Sequence, residues 1–242
     1  WSGDRSQEVA WRQEGKTYAE IASMGGGIRS TVQSTRSASE DDLFTSGYAR
    51  LRSALRTGTT HMEAKSGYGL STESELKLLN VMERLNAIEH TPSIDATWMG
   101  AHDIPSETTH EQYVESLLSE QLPAVVEQGI ARSADVFCEP GWFSVEESED
   151  LLKASKSAGL RLRMHVDEFV DGGGGELACS LGADTADHAY HTPNDVRLSM
   201  KQSGVNTGFL PGTPYAMGDP WPDMEWVVDN QLPFTLATDF NP

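Results

Sequence analysis

The 242-residue chain holds 37 Asp and Glu against 18 Lys and Arg, a formal net charge of −19. A surface of that sign repels the phosphates of nucleic acids and anionic lipids, so neither is an expected partner, and an acidic, strongly solvated surface also suits high salt. No apolar run approaches the roughly 20 residues that span a bilayer, and two cysteines, Cys138 and Cys179, are too few for a disulfide framework, which makes a reducing cytoplasm the expected compartment.

In chain order, the glycine-rich Gly25-Gly26-Gly27 precedes a helix predicted over residues 28–56. An apolar, β-branched run follows at 59–64. Residues 72–85 then carry Leu76, Leu79, Met82 and Leu85 on one helical face, with Ser71 ahead of them as a cap. Further strand-like runs fall at 94–99 and 134–138. Residues 144–158 repeat the helical spacing with Val145, Leu151, Leu152 and Ala154, opening on Ser144 with Glu147 three residues later. Strand-like runs at 160–165, 183–186, 205–210 and 234–238 complete the series. Gly129, Gly159 and Gly182 are expected helix stops. Neither Gly25–Gly27 nor Gly172–Gly175 shows the G-x-G-x-x-G spacing of a nucleotide loop, so both are read as plain loops.

Alternating strands and helices imply a parallel sheet. Seven strands are legible, and the helix at 28–56 calls for one more ahead of it, which makes eight. A (β/α)8 TIM-type barrel, here missing its first strand, is therefore expected ahead of an open doubly wound sheet. Without a composition break, residues 1–242 read as a single domain.

The polar residues at the ends of the predicted strands are Lys65, His102, Glu139, His165, His188 and Asp239, with Pro211 in the remaining place. Barrel strands point their C-terminal ends at one face, and that face carries the active site. Taken singly, each has a structural reading: a buried histidine satisfied by hydrogen bonds, or an aspartate capping a helix. Histidines closing the fifth and sixth barrel strands with an aspartate closing the eighth form a more specific combination. Imidazole and carboxylate together suit zinc or iron.

Several segments make the chain similar to the imidazolonepropionase family of the amidohydrolase superfamily. They are Gly3-Asp4-Arg5, Gly25-Gly26-Gly27-Ile28, Glu63-Ala64-Lys65-Ser66-Gly67-Tyr68-Gly69-Leu70, Gly100-Ala101-His102 and Val136-Phe137-Cys138-Glu139. Further on come His165-Val166-Asp167-Glu168-Phe169, Ala186-Asp187-His188, Leu210-Pro211-Gly212 and Leu236-Ala237-Thr238-Asp239-Phe240-Asn241-Pro242.

The resemblance implies hydrolysis of the ring amide of 4-imidazolone-5-propanoate to N-formimidoyl-L-glutamate, in histidine degradation. One divalent metal, zinc or iron, is implied, with His165 and Asp239 as ligands. Two further ligands, a His-x-His pair, are expected ahead of Trp1, and a flanking β-sandwich built from both ends of the family's chain is also expected outside this stretch. The chain is thus expected to be a fragment. His188, Asp239 and Glu168 are the implied catalytic residues, and Arg5, Tyr18, Tyr68, His102, Glu168 and Asn241 the implied substrate contacts. Lys65 is read as structural or as a support behind the residues that touch metal and substrate, and the partner as a small molecule, with a homodimer open. Two alternatives stand beside this reading: another cyclic-amide hydrolase or deaminase of the superfamily, and a catalytically inactive piece of such an enzyme.

Overall fold

The computed structural model describes residues 1–16, 20–21, 24, 26–218 and 220–240. Contacts divide the described residues into two compact units, Trp1–Ser133 and Ala134–Phe240.

The first unit opens with α1 (Ser6–Gln13), α2 (Ile28–Ser37) and α3 (Glu40–Arg56). The single helix expected over 28–56 is therefore two. The break falls at Ala38 and Ser39, because Ser39 caps α3: its side chain accepts from the Asp42 amide and Asp42 returns a bond to the Ser39 amide. A reciprocal cap of this kind stops a helix from running through it. Strands β1 (His61–Lys65) and β2 (Ser93–Ala101) pair in parallel, His61 opposite Ser93 and Lys65 opposite Thr97, and α4 (Thr72–Asn86) makes the crossover between them. The apolar face of α4 packs inward, with Leu78, Leu79, Val81, Met82 and Leu85 all buried. After β2, α5 (His110–Ser116) and α6 (Leu122–Gln128) are joined by a π-helical turn, Leu117–Gln121. Pro123 has no N–H to give the Ser119 carbonyl four residues back, and the ladder widens just ahead of it, the Leu122 amide bonding to Leu117. Gly129 ends α6 in the left-handed conformation.

The second unit alternates strand and helix throughout: β3 (Ser133–Cys138, its first residue in the first unit), α7 (Val145–Ser157), β4 (Arg161–Val166), α8 (Gly174–Leu181), β5 (Thr185–His188), α9 (Asn194–Ser203), β6 (Asn206–Phe209), α10 (Gly212–Met217), α11 (Met224–Asp229) and β7 (Phe234–Leu236). Strand order follows chain order from β3 to β7, and β4 to β7 pair in parallel: His165 lies opposite Asp187, Asp187 opposite Gly208, and Gly208 opposite Thr235. The capping box expected at Ser144 and Glu147 opens α7. All seven runs read as strands are strands. β7 differs from the others in burial: its three residues are exposed, Leu236 to 63%.

Parallel β strands with helical crossovers place every strand's C-terminal end on one side of its sheet. In the second unit that side carries β3's Glu139, β4's His165 and Glu168, β5's His188, and Asp239 three residues beyond β7.

A candidate metal and catalytic site at the strand ends

β4 supplies His165 and, in the loop just after it, Glu168. His165 is 7% exposed and His188 2%. Their rings lie 5.2 Å apart between centroids, and His188 Nε2 stands 3.6 Å from Glu168 Oε2. Three expected residues thus meet at neighbouring strand ends. Tyr190 closes the side beyond His188, edge-on at 5.5 Å, and donates its hydroxyl to the Leu210 carbonyl at 2.6 Å; burial pushes that hydroxyl's pKa up. The opposite wall is aromatic: Phe137 meets His165 edge-on at 6.0 Å and packs on Trp142 and Phe169.

Apolar walls bear directly on the Glu168 carboxyl, whose side chain is 11% exposed. Removal from water pushes its pKa up to about 8; a cationic His165 would lower it, while Asp239 and Glu139 raise it. Glu168 is accordingly a protonated acid at neutral pH.

The loop that carries Glu168 is held by two buried carboxylates that the sequence reading had not assigned. Glu139, 1% exposed at the end of β3, accepts the amide N–H groups of Glu168, Phe169 and Val170, each at 3.0 Å. Burial raises its pKa, and these bonds pull it back. Asp167, fully buried, accepts the amides of Gly172, Gly174 and Gly175 and the Thr192 hydroxyl at 2.6 Å. The Gly172–Gly175 segment is thus a loop wrapped on a carboxylate, and α8 starts from it.

Asp167, His188, Ala189 and Asp239 all have φ between 49° and 68°. Such backbone is uncommon away from glycine and costs about 1–3 kcal/mol per residue, and here it recurs at the ends of β4, β5 and β7. Asp239 is anchored by the Thr213 hydroxyl, 2.6 Å from its Oδ2.

Among the described residues, the group that could hold a metal ion is Asp135, His165 and Asp187, all buried, on three consecutive strands. Asp135 Oδ1 lies 3.0 Å from His165 Nδ1. Gly208 makes room for Asp187: a Cβ there would fall 2.2 Å from Asp187 Oδ1. Asp135 and Asp187 were absent from the expected site. Their signal was an acid inside a strand-like run, Asp135 between Ala134 and Val136 and Asp187 between Ala186 and His188.

Of the remaining expected residues, Arg5, Lys65, Tyr68 and His102 fall in the first unit. Arg5 makes a bidentate pair with Glu8, Nε at 2.8 Å and Nη2 at 2.9 Å, and Glu8, 4% exposed, also accepts the Gly27 amide. Tyr68 and His102 meet edge-on at 5.0 Å, and His102 Nδ1 donates to the Gly67 carbonyl. Lys65 pairs with Glu63 at 2.8 Å. Tyr18 and Asn241 lie outside the described residues.

No family model matches the chain. Among solved structures, a guanine deaminase from C. acetobutylicum superposes with a TM-score of 0.68 at 12% identity, over 93% of this chain and 55% of that one. An adenine deaminase from Arthrobacter aurescens superposes with a TM-score of 0.67 at 16% identity, over 96% and 76%. The strand–helix order and these matches define the fold: the chain carries most of a (β/α)8 barrel.

Curated relatives narrow this. Imidazolonepropionases of Clostridium tetani, Alkaliphilus metalliredigens and Haloarcula marismortui are 41%, 44% and 41% identical over 244, 243 and 242 residues. These alignments take in 100%, 99% and 100% of the chain, and 58%, 57% and 57% of the relatives. Along its whole length the chain is similar to these imidazolonepropionases, and it spans under two thirds of their own length. No helix among the described residues is long and apolar enough to cross a membrane.

Proposed function

We propose that the protein hydrolyses the ring amide of 4-imidazolone-5-propanoate to N-formimidoyl-L-glutamate. The observation that supports this best is the meeting of His165, Glu168 and His188 at adjacent strand ends in a chain that matches imidazolonepropionases from end to end. In this reading His165 and Asp239 hold one divalent ion, zinc or iron. Imidazole nitrogen and carboxylate oxygen are donors that suit either. When bound, the ion supplies a water with pKa lowered toward neutrality.

The chain's own residues then manage the protons. Asp239 accepts the proton of the attacking water. Glu168, protonated at neutral pH, reaches a ring nitrogen and fixes the ring by donating to it. His188, with Nε2 facing Glu168, stabilises the oxyanion that forms at the ring carbonyl or relays to the leaving nitrogen the proton that Asp239 took from the water, as the C–N bond breaks. Aromatic walls keep bulk water from Glu168 and so keep its proton on.

By the same resemblance Arg5 clamps the propionate, with Tyr18, Tyr68, His102 and Asn241 around the substrate. Arg5 Nε and Nη2 are bonded to Glu8, which fixes the orientation of the guanidinium plane. Arg5→Ala is expected to raise KM for imidazolone propanoate by about tenfold or more, the loss of one charge-assisted contact. Parental steady-state kinetics in that variant would remove Arg5 from the site.

A further inference from the structure

β3, β4 and β5 lie side by side, and each places one ionisable residue in the same buried layer: Asp135 is 1% exposed, His165 7% and Asp187 7%. His165 is opposite Asp187 in the β4–β5 register, but the short contact is on the other side, where Nδ1 lies 3.0 Å from Asp135 Oδ1. An ionised carboxylate only accepts hydrogen bonds, so the proton of this contact belongs to Nδ1. A neutral imidazole with its proton on Nδ1 has its lone pair on Nε2. Mid-strand placement makes this durable, since β3 and β4 are neighbours in one sheet and neither side chain rides on a loop.

We propose that Asp135 is the positioning residue of the metal site: it locks His165 as the Nδ1–H tautomer and turns Nε2 toward the ion. This rests on the reading of His165 as a metal ligand. A carboxylate behind a ligating histidine sets the ring's orientation and raises its donor strength, and removing such a partner typically weakens metal binding 10–100-fold. The competing arrangement puts an ion among Asp135, His165 and Asp187 themselves, with Nδ1 as the ligand atom; the hydrogen bond at Nδ1 would then not exist in the loaded protein.

The test pairs nitrogen-15 NMR of the histidine rings with zinc affinity measured by chelator competition. In the metal-free protein His165 is expected as the Nδ1–H tautomer, and on zinc addition the Nε2 resonance is expected to move while Nδ1 keeps its proton. Asp135→Leu is expected to release the tautomer preference and to weaken zinc binding 10–100-fold. Asp135→Asn, which keeps an acceptor oxygen without the charge, is expected to retain the tautomer and lose affinity several-fold. An Nε2–H tautomer in the parent, zinc on Nδ1, or parental zinc affinity in Asp135→Leu would each overturn the assignment. Should the leucine variant not fold, parental affinity in Asp135→Asn overturns it instead. Parental zinc affinity in His165→Ala would sink the ligand reading and this assignment with it, whereas parental affinity in the Asp135 variants alone sinks only the assignment.

Discussion

Replacing Glu168 by glutamine should flatten the dependence of the protein's stability on pH. The folded carboxyl titrates at about 8 against an ordinary 4.5, with burial as the leading cause. Between those values the folded state keeps a proton that the unfolded chain has released, so stability falls as pH rises. The contribution is complete below about pH 4.5 and is lost as pH climbs through 8. At about 1.36 kcal/mol per unit, the loss accumulated between roughly pH 5 and pH 8 comes to about 3 kcal/mol. Glutamine is neutral throughout and removes it. Urea unfolding of the metal-free parent and Glu168→Gln, repeated across that range, reads the difference directly. The parent is expected to weaken relative to the variant by about 3 kcal/mol on going from the acid to the alkaline end. Profiles that run parallel to within about 1 kcal/mol would refute the claim that Glu168 is a buried, protonated acid.

Three further substitutions probe the scaffold. In Glu139→Gln the side-chain nitrogen replaces an acceptor, so one of the amides at Glu168, Phe169 and Val170 loses its partner; about 1–3 kcal/mol of stability should go, with faster amide exchange at those three residues, and parental exchange would contradict the account. Gly208→Ala drives a methyl into Asp187 and should cost about 1–3 kcal/mol in chemical unfolding, whereas a change below about 0.5 kcal/mol would show that Asp187 can move aside freely. Ser39→Ala removes one arm of the capping box at the start of α3 and should lower stability by about 0.5–2 kcal/mol; an unchanged melting temperature would show that the cap is dispensable there.

The strands were legible because each is a short apolar run between glycine- or serine-marked helix boundaries, and parallel strands buried on both faces announce themselves as such runs. The two-helix start was misread as one although its signal was present: Ser39-Glu40-Asp41-Asp42 is a cap-forming string, and apolar periodicity on either side of it hid the break. Within the site, His165, Glu168 and His188 could be placed from strand ends and motif resemblance. Asp135 and Asp187 could not, since an acid in a strand gives no sign of which side chain on the next strand it will meet, and that pairing depends on register. Glu139 was noticed as a strand-end acid, but its role as the acceptor for three successive amides follows from the path of a loop that the sequence leaves open. The exposed Leu236 on β7 likewise has no counterpart in the sequence pattern, which reads that strand as apolar and buried like the rest.

The central claim is that these strand ends form one metal-dependent ring-opening site. It is tested most directly by following 4-imidazolone-5-propanoate with the protein at the length of its relatives, loaded with zinc or iron and then stripped by chelator, beside the Asp239→Asn variant. Ring opening to N-formimidoyl-L-glutamate that needs the ion and collapses without the Asp239 carboxylate is the expected result. Turnover that survives both chelation and the substitution, or no ring opening by the loaded parent, would contradict it.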